Sequence, residues 1–284
     1  MKVRIITSII AVIGIFPFFW FSAPVGAQNP LHYLFPLLFC AVSFVSVWEI
    51  LHCLSLDKKY PLSIPLYLVG LSFPMLARIM MGNMQGFVRM AVLTALVLAI
   101  YFFAYLVFRF GKIDMGKIAL LFMTSFYIIG ANCAVVILRD TDHIGQFLFL
   151  LPFLFSWMTD IFAYFTGRFL GKHKLIEAVS PKKTVEGAIG GFLFCSLTAI
   201  VYGVVVGACF EVTPNYVALA LAGIVSGVVS QIGDLVMSAI KRVYGIKDFG
   251  CILPGHGGVL DRFDSSMAVT VLVLVVSRYL PLFY

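Results

Sequence analysis

The chain has 284 residues, of which 62% are hydrophobic and only 12% are charged, whereas soluble domains carry about 25% charged residues. This composition excludes an ordinary soluble domain and predicts an integral membrane protein. The net charge of +7 does not predict nucleic-acid binding, because the basic residues follow the distribution expected of membrane topology.

Hydrophobic runs divide the chain into segments long enough to cross a bilayer. About 20 helical residues span a hydrocarbon core of roughly 30 Å. The runs predict helices near residues 5–22, 31–51, 62–81, 88–108, 118–138, 146–165, 187–209, 216–237 and 265–284. We therefore expect an all-α, polytopic membrane protein with about nine transmembrane helices. Residues 1–284 would form a single integral membrane domain, with a scaffold over about 1–140 and a catalytic half over about 144–284.

The first run begins with Lys2 and Arg4 and ends in Val25-Gly26-Ala27, a pattern that cleaved signal peptides share. Its length and the polytopic remainder of the chain favour a retained helix. Cleavage of residues 1–27 stays an open alternative, and the downstream topology is the same in both cases.

The distribution of Lys and Arg indicates the orientation. With the N-terminus in the cytoplasm, sixteen of the twenty basic residues fall on the cytoplasmic side, as the positive-inside rule requires. The four on the other side are Arg78, Arg89, Arg139 and Arg278. The same topology brings the acidic residues of the later helices to one level near the cytoplasmic surface. These are Asp160, Asp234, Asp261 and Asp264.

Glycines recur one helical turn apart on the seventh and eighth predicted helices. The pairs are Gly187 and Gly191, Gly203 and Gly207, and Gly223 and Gly227. This spacing lets helix backbones approach closely, so we expect these glycines to serve packing.

Two groups of polar residues share helical faces. Asp234, Ser238 and Lys241 are spaced i, i+4, i+7, and Asp261 and Asp264 are spaced i, i+3. Three carboxylates in a small volume repel one another and suit a hard cation such as Mg²⁺. The alternatives are a structural ion pair of Asp234 with Lys241 or a neighbouring arginine, and helix N-capping by the other two aspartates.

The stretch Pro254-Gly255-His256-Gly257-Gly258 precedes the last helix. Its glycines allow backbone conformations closed to other residues, and successive N–H groups can form an anion site. His256 can contact phosphate or carry a proton. The alternative for the whole stretch is a simple turn.

Before the seventh helix, Ser180 as N-cap and Pro181 at the first helical position are typical of a helix start, and helix N-termini attract anions. Lys182 and Lys183 strengthen the prediction of a phosphate site, although ordinary juxtamembrane charge is an alternative. A further polar stripe, Asp160-Tyr164-Arg168, reaches the same surface, where Arg168 can bind lipid headgroups or fix the topology.

Several of these residues occur in a fixed order. One motif runs Ser238-x-x-Lys241-Arg242, then Lys247-Asp248, then Pro254-x-His256-Gly257-Gly258-x-x-Asp261-Arg262-Phe263-Asp264. Upstream lie Asp160-x-x-Ala163-Tyr164-Phe165-x-Gly167-Arg168 and Ser180-Pro181-Lys182-Lys183-Thr184-x-Glu186-Gly187. Together they resemble the signature of the phosphatidate cytidylyltransferases, or CDP-diacylglycerol synthases. The resemblance covers about residues 155–270.

The resemblance implies an enzyme of phospholipid biosynthesis that joins CTP to phosphatidic acid, giving CDP-diacylglycerol and pyrophosphate. It also implies a Mg²⁺ requirement, with a second cation left open, a homodimer, contact with membrane lipids, and a bacterial inner membrane with the active site on the cytoplasmic side. The expected metal ligands are Asp234, Asp261 and Asp264, with Asp160 as a candidate further ligand.

The other expected site residues fall into two groups. Ser238 and Lys241 join the three aspartates as catalytic residues. Substrate and phosphate binding is assigned to Arg168, Ser180, Lys182, Lys183, Thr184, Arg242, Lys247, Gly255, His256, Gly257, Gly258 and Arg262. Two other functions stay open: a CTP-dependent kinase of a membrane alcohol such as a polyprenol or phytol, and a cation-coupled transporter, which would also need intramembrane carboxylates.

Overall fold

The computed structural model describes residues 30–141, 143–252 and 257–284. Its helices are α1 (Leu34–Cys53), α2 (Tyr60–Ile79), α3 (Met84–Phe108), α4 (Met115–Arg139), α5 (Gly145–Leu148), α6 (Leu151–Leu170), α7 (Val185–Cys209), α8 (Tyr216–Val243) and α9 (Leu260–Tyr279). Short 3₁₀ turns cover Pro30–Tyr33 and Met81–Asn83, and the strands β1 (Lys174–Ile176) and β2 (Ser180–Thr184) form an antiparallel pair.

The prediction of an all-α polytopic membrane protein is confirmed. Within the described ranges, seven helices are long and apolar enough to cross a membrane, and α9 is not among them. The predicted first helix, with its alternative of a cleaved signal peptide, lies outside the described residues. The count of nine is therefore not confirmed.

The chain separates into two compact units. Among the described residues, the first unit contains 30–140, 246–252 and 257–262, and the second contains 141, 143–245 and 263–284. The first division falls close to the predicted border between scaffold and catalytic half, but the first unit also takes in the segment with the glycine-rich loop. The single domain over 1–284 stays a prediction.

In the first unit, α1, α2 and α4 pack against one another, while α3 lies at the periphery. Apolar side chains of α1, α2 and α4 are fully buried, among them Leu51, Leu62 and Leu121, whereas the most apolar stretch of α3 is only 11% buried. At one end of this unit, Arg78 pairs with Asp140 at 3.0 Å. Burial raises the pKa of the Asp140 carboxyl, and the Arg78 guanidinium opposes that rise.

In the second unit, α7 packs against both α6 and α8, and the predicted glycine contacts are confirmed. A Cβ on Gly187 would lie 2.7 Å from the Ala163 carbonyl oxygen of α6, and one on Gly223 would lie 2.7 Å from Ser196 Cα of α7. Gly203 and Gly207 instead face side chains, those of Leu219 and Pro214. Because glycine has no Cβ atom, Gly187 on α7 and Gly223 on α8 let the backbones of the three helices come close together.

The predicted helix start at Ser180 and Pro181 is wrong. Both residues lie in β2, which pairs with β1, and α7 begins only at Val185. Thr184 is the N-cap, because its hydroxyl accepts the N–H of Gly187 at 3.1 Å. Both Ser180 and Thr184 have side chains suited to an N-cap. Because Ser180 is paired with β1, the helix starts after Thr184, which is the residue that caps it.

The glycine contacts predict a stability difference between two matched substitutions. A Cβ on Gly227 of α8 would lie 2.6 Å from Phe192 Cα, whereas one on Gly130 of α4 meets nothing within 4 Å. We expect Gly227→Ala to cost about 1–3 kcal/mol through overpacking and Gly130→Ala to be neutral or stabilising, since alanine favours helix. Thermal unfolding in one detergent checks this, and equal melting temperatures for the two variants would contradict it.

Candidate functional site

Three carboxylates meet in the second unit. Asp160 belongs to α6, Asp234 to α8 and Asp264 to α9, and each of the three lies close enough to another to repel it electrostatically. Asp264 is buried, with 6% of its surface exposed, while Asp234 is half-buried and Asp160 exposed. Acids of three different helices thus interact electrostatically, while the shared metal site expected of them stays a prediction.

Two lysines balance part of this negative charge. Lys183 Nζ, near the end of β2, lies 2.5 Å from Asp234 Oδ2 and forms an ion pair with it. Lys241 Nζ lies 4.0 Å from Asp264 Oδ2, and both of those side chains are buried. The alternative of a structural pair between Asp234 and Lys241 is not the pair observed: Asp234 pairs with Lys183, because β2 brings that lysine to α8.

The carboxylate oxygens of this cluster are the kind of ligand that a divalent cation such as Mg²⁺ prefers. Mg²⁺ prefers oxygen ligands, and it is commonly held by one or two carboxylates that share it with substrate phosphates and water. Among the residues that the structure describes, no three His, Cys, Asp or Glu side chains are placed to hold one ion. The residues thus fit a cation held by Asp234 and Asp264 together with substrate oxygens, and they do not form a ready three-ligand cage.

Asp261 has a different environment, in the first unit. Its Oδ2 accepts the N–H of Phe249 at 2.7 Å and that of Gly258 at 3.0 Å. Gly257 adopts a positive φ of 84°, which favours glycine. The N–H of Gly258 is therefore engaged by a carboxylate here, and the predicted anion site of this loop, like the metal role of Asp261, stays a prediction. Gly255 and His256 lie outside the described residues.

Glu49 of α1 was missed in the sequence. Its carboxylate is fully buried, and it accepts the N–H groups of Val259 and Leu260 at 2.9 and 2.7 Å, within the first unit. The signal was present, since Glu49 is the only acidic residue of an apolar helix, and an ionisable residue at membrane depth needs a partner and often a function.

The remaining predicted residues have the following surroundings. Arg168 donates to the Tyr164 hydroxyl at 3.0 Å, Arg242 Nε donates to the Val179 carbonyl at 3.4 Å, and the Thr184 hydroxyl is engaged in the N-cap. Lys182, Arg242, Lys247 and Arg262 are exposed, whereas Ser180 and Ser238 are partly exposed. Strand β2 of the hairpin contains four of the predicted substrate- and phosphate-binding residues, namely Ser180, Lys182, Lys183 and Thr184.

Comparison with known proteins identifies the family. Residues 2–280 match the cytidylyltransferase family. The chain is 32% identical to the phosphatidate cytidylyltransferase of Staphylococcus haemolyticus, over 96% of this chain and 97% of that protein. It is 33% identical to the phosphatidate cytidylyltransferase of Bacillus subtilis, over 95% of this chain and 94% of that protein. The chain belongs to the cytidylyltransferase family, and the resemblance seen in its motifs is confirmed.

The ion pair of Lys183 with Asp234 can be tested by comparing the loss of Lys183 with the loss of the neighbouring Lys182. Lys183→Met leaves Asp234 beside other carboxylates without its nearest cation. We expect a loss of about 1–2 kcal/mol, less than for a fully buried pair, because both side chains are about one quarter exposed. Lys182→Met, at an exposed position, is the matched control. Thermal unfolding without divalent ions checks the difference, and equal losses in both variants would refute the pairing.

Proposed function

We propose that this protein catalyses the reaction of CTP with phosphatidic acid, giving CDP-diacylglycerol and pyrophosphate. The observation that carries the proposal is a cluster of three carboxylates and two ammonium groups in a chain that matches phosphatidate cytidylyltransferases over almost its whole length. The helices that carry Asp160 and Asp234 are long and apolar enough to cross a membrane, as suits a reaction on a membrane lipid.

The reaction brings two anions together. An oxygen of the lipid phosphate attacks the α-phosphorus of CTP, the bond from that phosphorus to the bridging oxygen breaks, and pyrophosphate leaves with the electron pair. Charge repulsion opposes this approach, and fixed cationic groups lower the barrier by stabilising the charge that develops on the phosphate oxygens.

The basic residues of the second unit are assigned to the phosphates. Lys182 and Lys183 extend from the hairpin toward CTP, and Lys241 and Arg242 end α8 where they bind phosphate groups. Lys183 pairs with Asp234, and Lys241 lies 4.0 Å from Asp264. Binding of an anion gives each ammonium a second acceptor, and Ser238, one turn before Lys241, positions the same phosphate.

Mg²⁺ would be held by Asp234 and Asp264, with Asp160 beside them. When bound there, it supplies positive charge that screens the phosphates and stabilises the leaving pyrophosphate. Asp261 is retained as a proposed ligand from the family resemblance, although its Oδ2 accepts two backbone N–H groups.

The location is proposed as a bacterial inner membrane with the N-terminus and the site on the cytoplasmic side. The bias of sixteen basic residues against four supports this orientation, and CTP is available on that side. A homodimer is proposed from the family resemblance alone.

The products of the purified protein distinguish this function from its nearest alternative. We expect labelled CTP and phosphatidic acid in detergent with Mg²⁺ to give a cytidylylated lipid and pyrophosphate. A lipid-alcohol kinase, given phytol or a polyprenol in the same mixture as acceptor, would instead give CDP and a phosphorylated lipid, and a transporter would leave CTP intact. Release of CDP, or no consumption of CTP, would overturn the proposal.

Removal of one charge at Asp264 tests the site itself. Asp264→Asn keeps the shape of the side chain but removes a charged oxygen, so we expect turnover to fall at least about a hundredfold, the scale of losing a group that stabilises transition-state charge. Asp114→Asn is the control, because Asp114 caps α4 in the first unit through Oδ1, a role that asparagine also fills. Normal turnover by a folded Asp264→Asn protein would refute the assignment.

A further inference from the structure

Glu49 and the glycine-rich loop form a contact between distant parts of the sequence. Glu49 lies in α1, more than two hundred residues before its partners, and 0% of its surface is exposed. Both groups belong to the first unit. A carboxylate enclosed in an apolar helix requires strong donors, and the loop supplies them.

The contact engages both oxygens of the carboxylate. Oε1 accepts the N–H of Val259 at 2.9 Å, and Oε2 accepts the N–H of Leu260 at 2.7 Å. Leu260 is the first residue of α9, where backbone N–H groups have no partner within the helix and where negative charge is favoured by the helix dipole. Glu49 therefore fixes the position at which α9 begins.

The loop also packs tightly onto this carboxylate. A Cβ added to either Gly250 or Gly258 would lie 2.5 Å from Glu49 Oε1. Such a distance excludes any side chain unless the carboxylate moves. The glycines at these two positions thus allow the backbone to close around Glu49.

Asp261 holds the same loop through two other N–H groups, those of Phe249 and Gly258. Four backbone donors between Phe249 and Leu260 therefore bind two carboxylates. Asp261 is the second residue of α9, and Asp264 follows within one turn. Asp261 therefore lies in the same first turn of α9 as Leu260, whose N–H Glu49 binds within the first unit.

We infer that Glu49 is a positioning residue, which sets the placement of the first turn of α9 and through it that of Asp261. It acts through the loop and touches no substrate. The inference rests on the proposed function, in which Asp261 is a proposed metal ligand, since that role gives its placement a catalytic consequence. A carboxylate that served stability alone would leave turnover unchanged in the folded protein.

Glu49→Gln tests this inference, because glutamine has the same shape but one acceptor oxygen, and its amide group places a donor against a backbone N–H. We expect amide hydrogen exchange in peptides covering 246–262 to rise about tenfold, while α6 to α8 exchange as in the wild type. We also expect kcat to fall about tenfold to a hundredfold, with KM for CTP within about threefold. Glu211→Gln, an exposed position, is the matched control and should behave as the wild type.

Each result decides the question. Unchanged exchange over 246–262 overturns the contact, and faster exchange with normal kcat overturns the positioning role. If Glu49→Gln exchanges faster throughout the chain, Gly250→Ala takes its place, because its Cβ presses on Glu49 Oε1 without altering the carboxylate. Its kcat should then fall relative to Gly130→Ala, and an equal kcat overturns the inference. A wild-type protein that forms no cytidylylated lipid overturns the proposed function instead.

Discussion

Carboxylates within an apolar helical protein need positively polarised partners, and this requirement organises the part of the molecule that carries its chemistry. An unpaired acidic side chain at the centre of a bilayer costs about 2.5–3.5 kcal/mol or more. In the first unit, Glu49 and Asp261 meet this requirement with backbone N–H groups. In the second, Asp234 and Asp264 meet it with lysine ammonium groups.

The two kinds of partner have different consequences. Backbone N–H groups cannot leave without unfolding the loop, so Glu49 and Asp261 fix structure. Lysine side chains are long and rotate easily, so in the proposed function Lys183 and Lys241 exchange a carboxylate for the phosphates of the substrates. A nucleotidyl transfer needs both properties, because the aspartates must be held in place while their charge partners change.

Close helix packing makes the cluster possible. Gly187, Gly191, Gly223 and Gly227 bring the backbones of α6, α7 and α8 together, and Asp160 and Asp234 lie on two of these helices. The hairpin between α6 and α7 then delivers Lys183 to Asp234. Packing by small residues and charge balance are thus linked, since looser packing would separate the charges that must neutralise one another.

The sequence predicted much of this and failed for identifiable reasons. The lengths of the hydrophobic runs predicted the long helices that the structure describes, and the spacing of the glycines predicted their close contacts. Both predictions depend only on local patterns in the sequence. The hairpin at residues 174–184 was missed because Ser180 and Pro181 imitate a helix start, while the true cap, Thr184, depends on strand pairing. The contact of Glu49 could not be predicted, because its partners lie more than two hundred residues along the chain and no local pattern joins α1 to the loop at 257–260.

We propose that carboxylates from separate helices of the second unit bind one divalent cation. Electron paramagnetic resonance of Mn²⁺, used in place of Mg²⁺, measures that binding without turnover. The account predicts that the signal of free Mn²⁺ falls when wild-type protein and CTP are added, and that it remains with the double variant Asp234→Asn, Asp264→Asn. Equal binding of Mn²⁺ by the two proteins would contradict it.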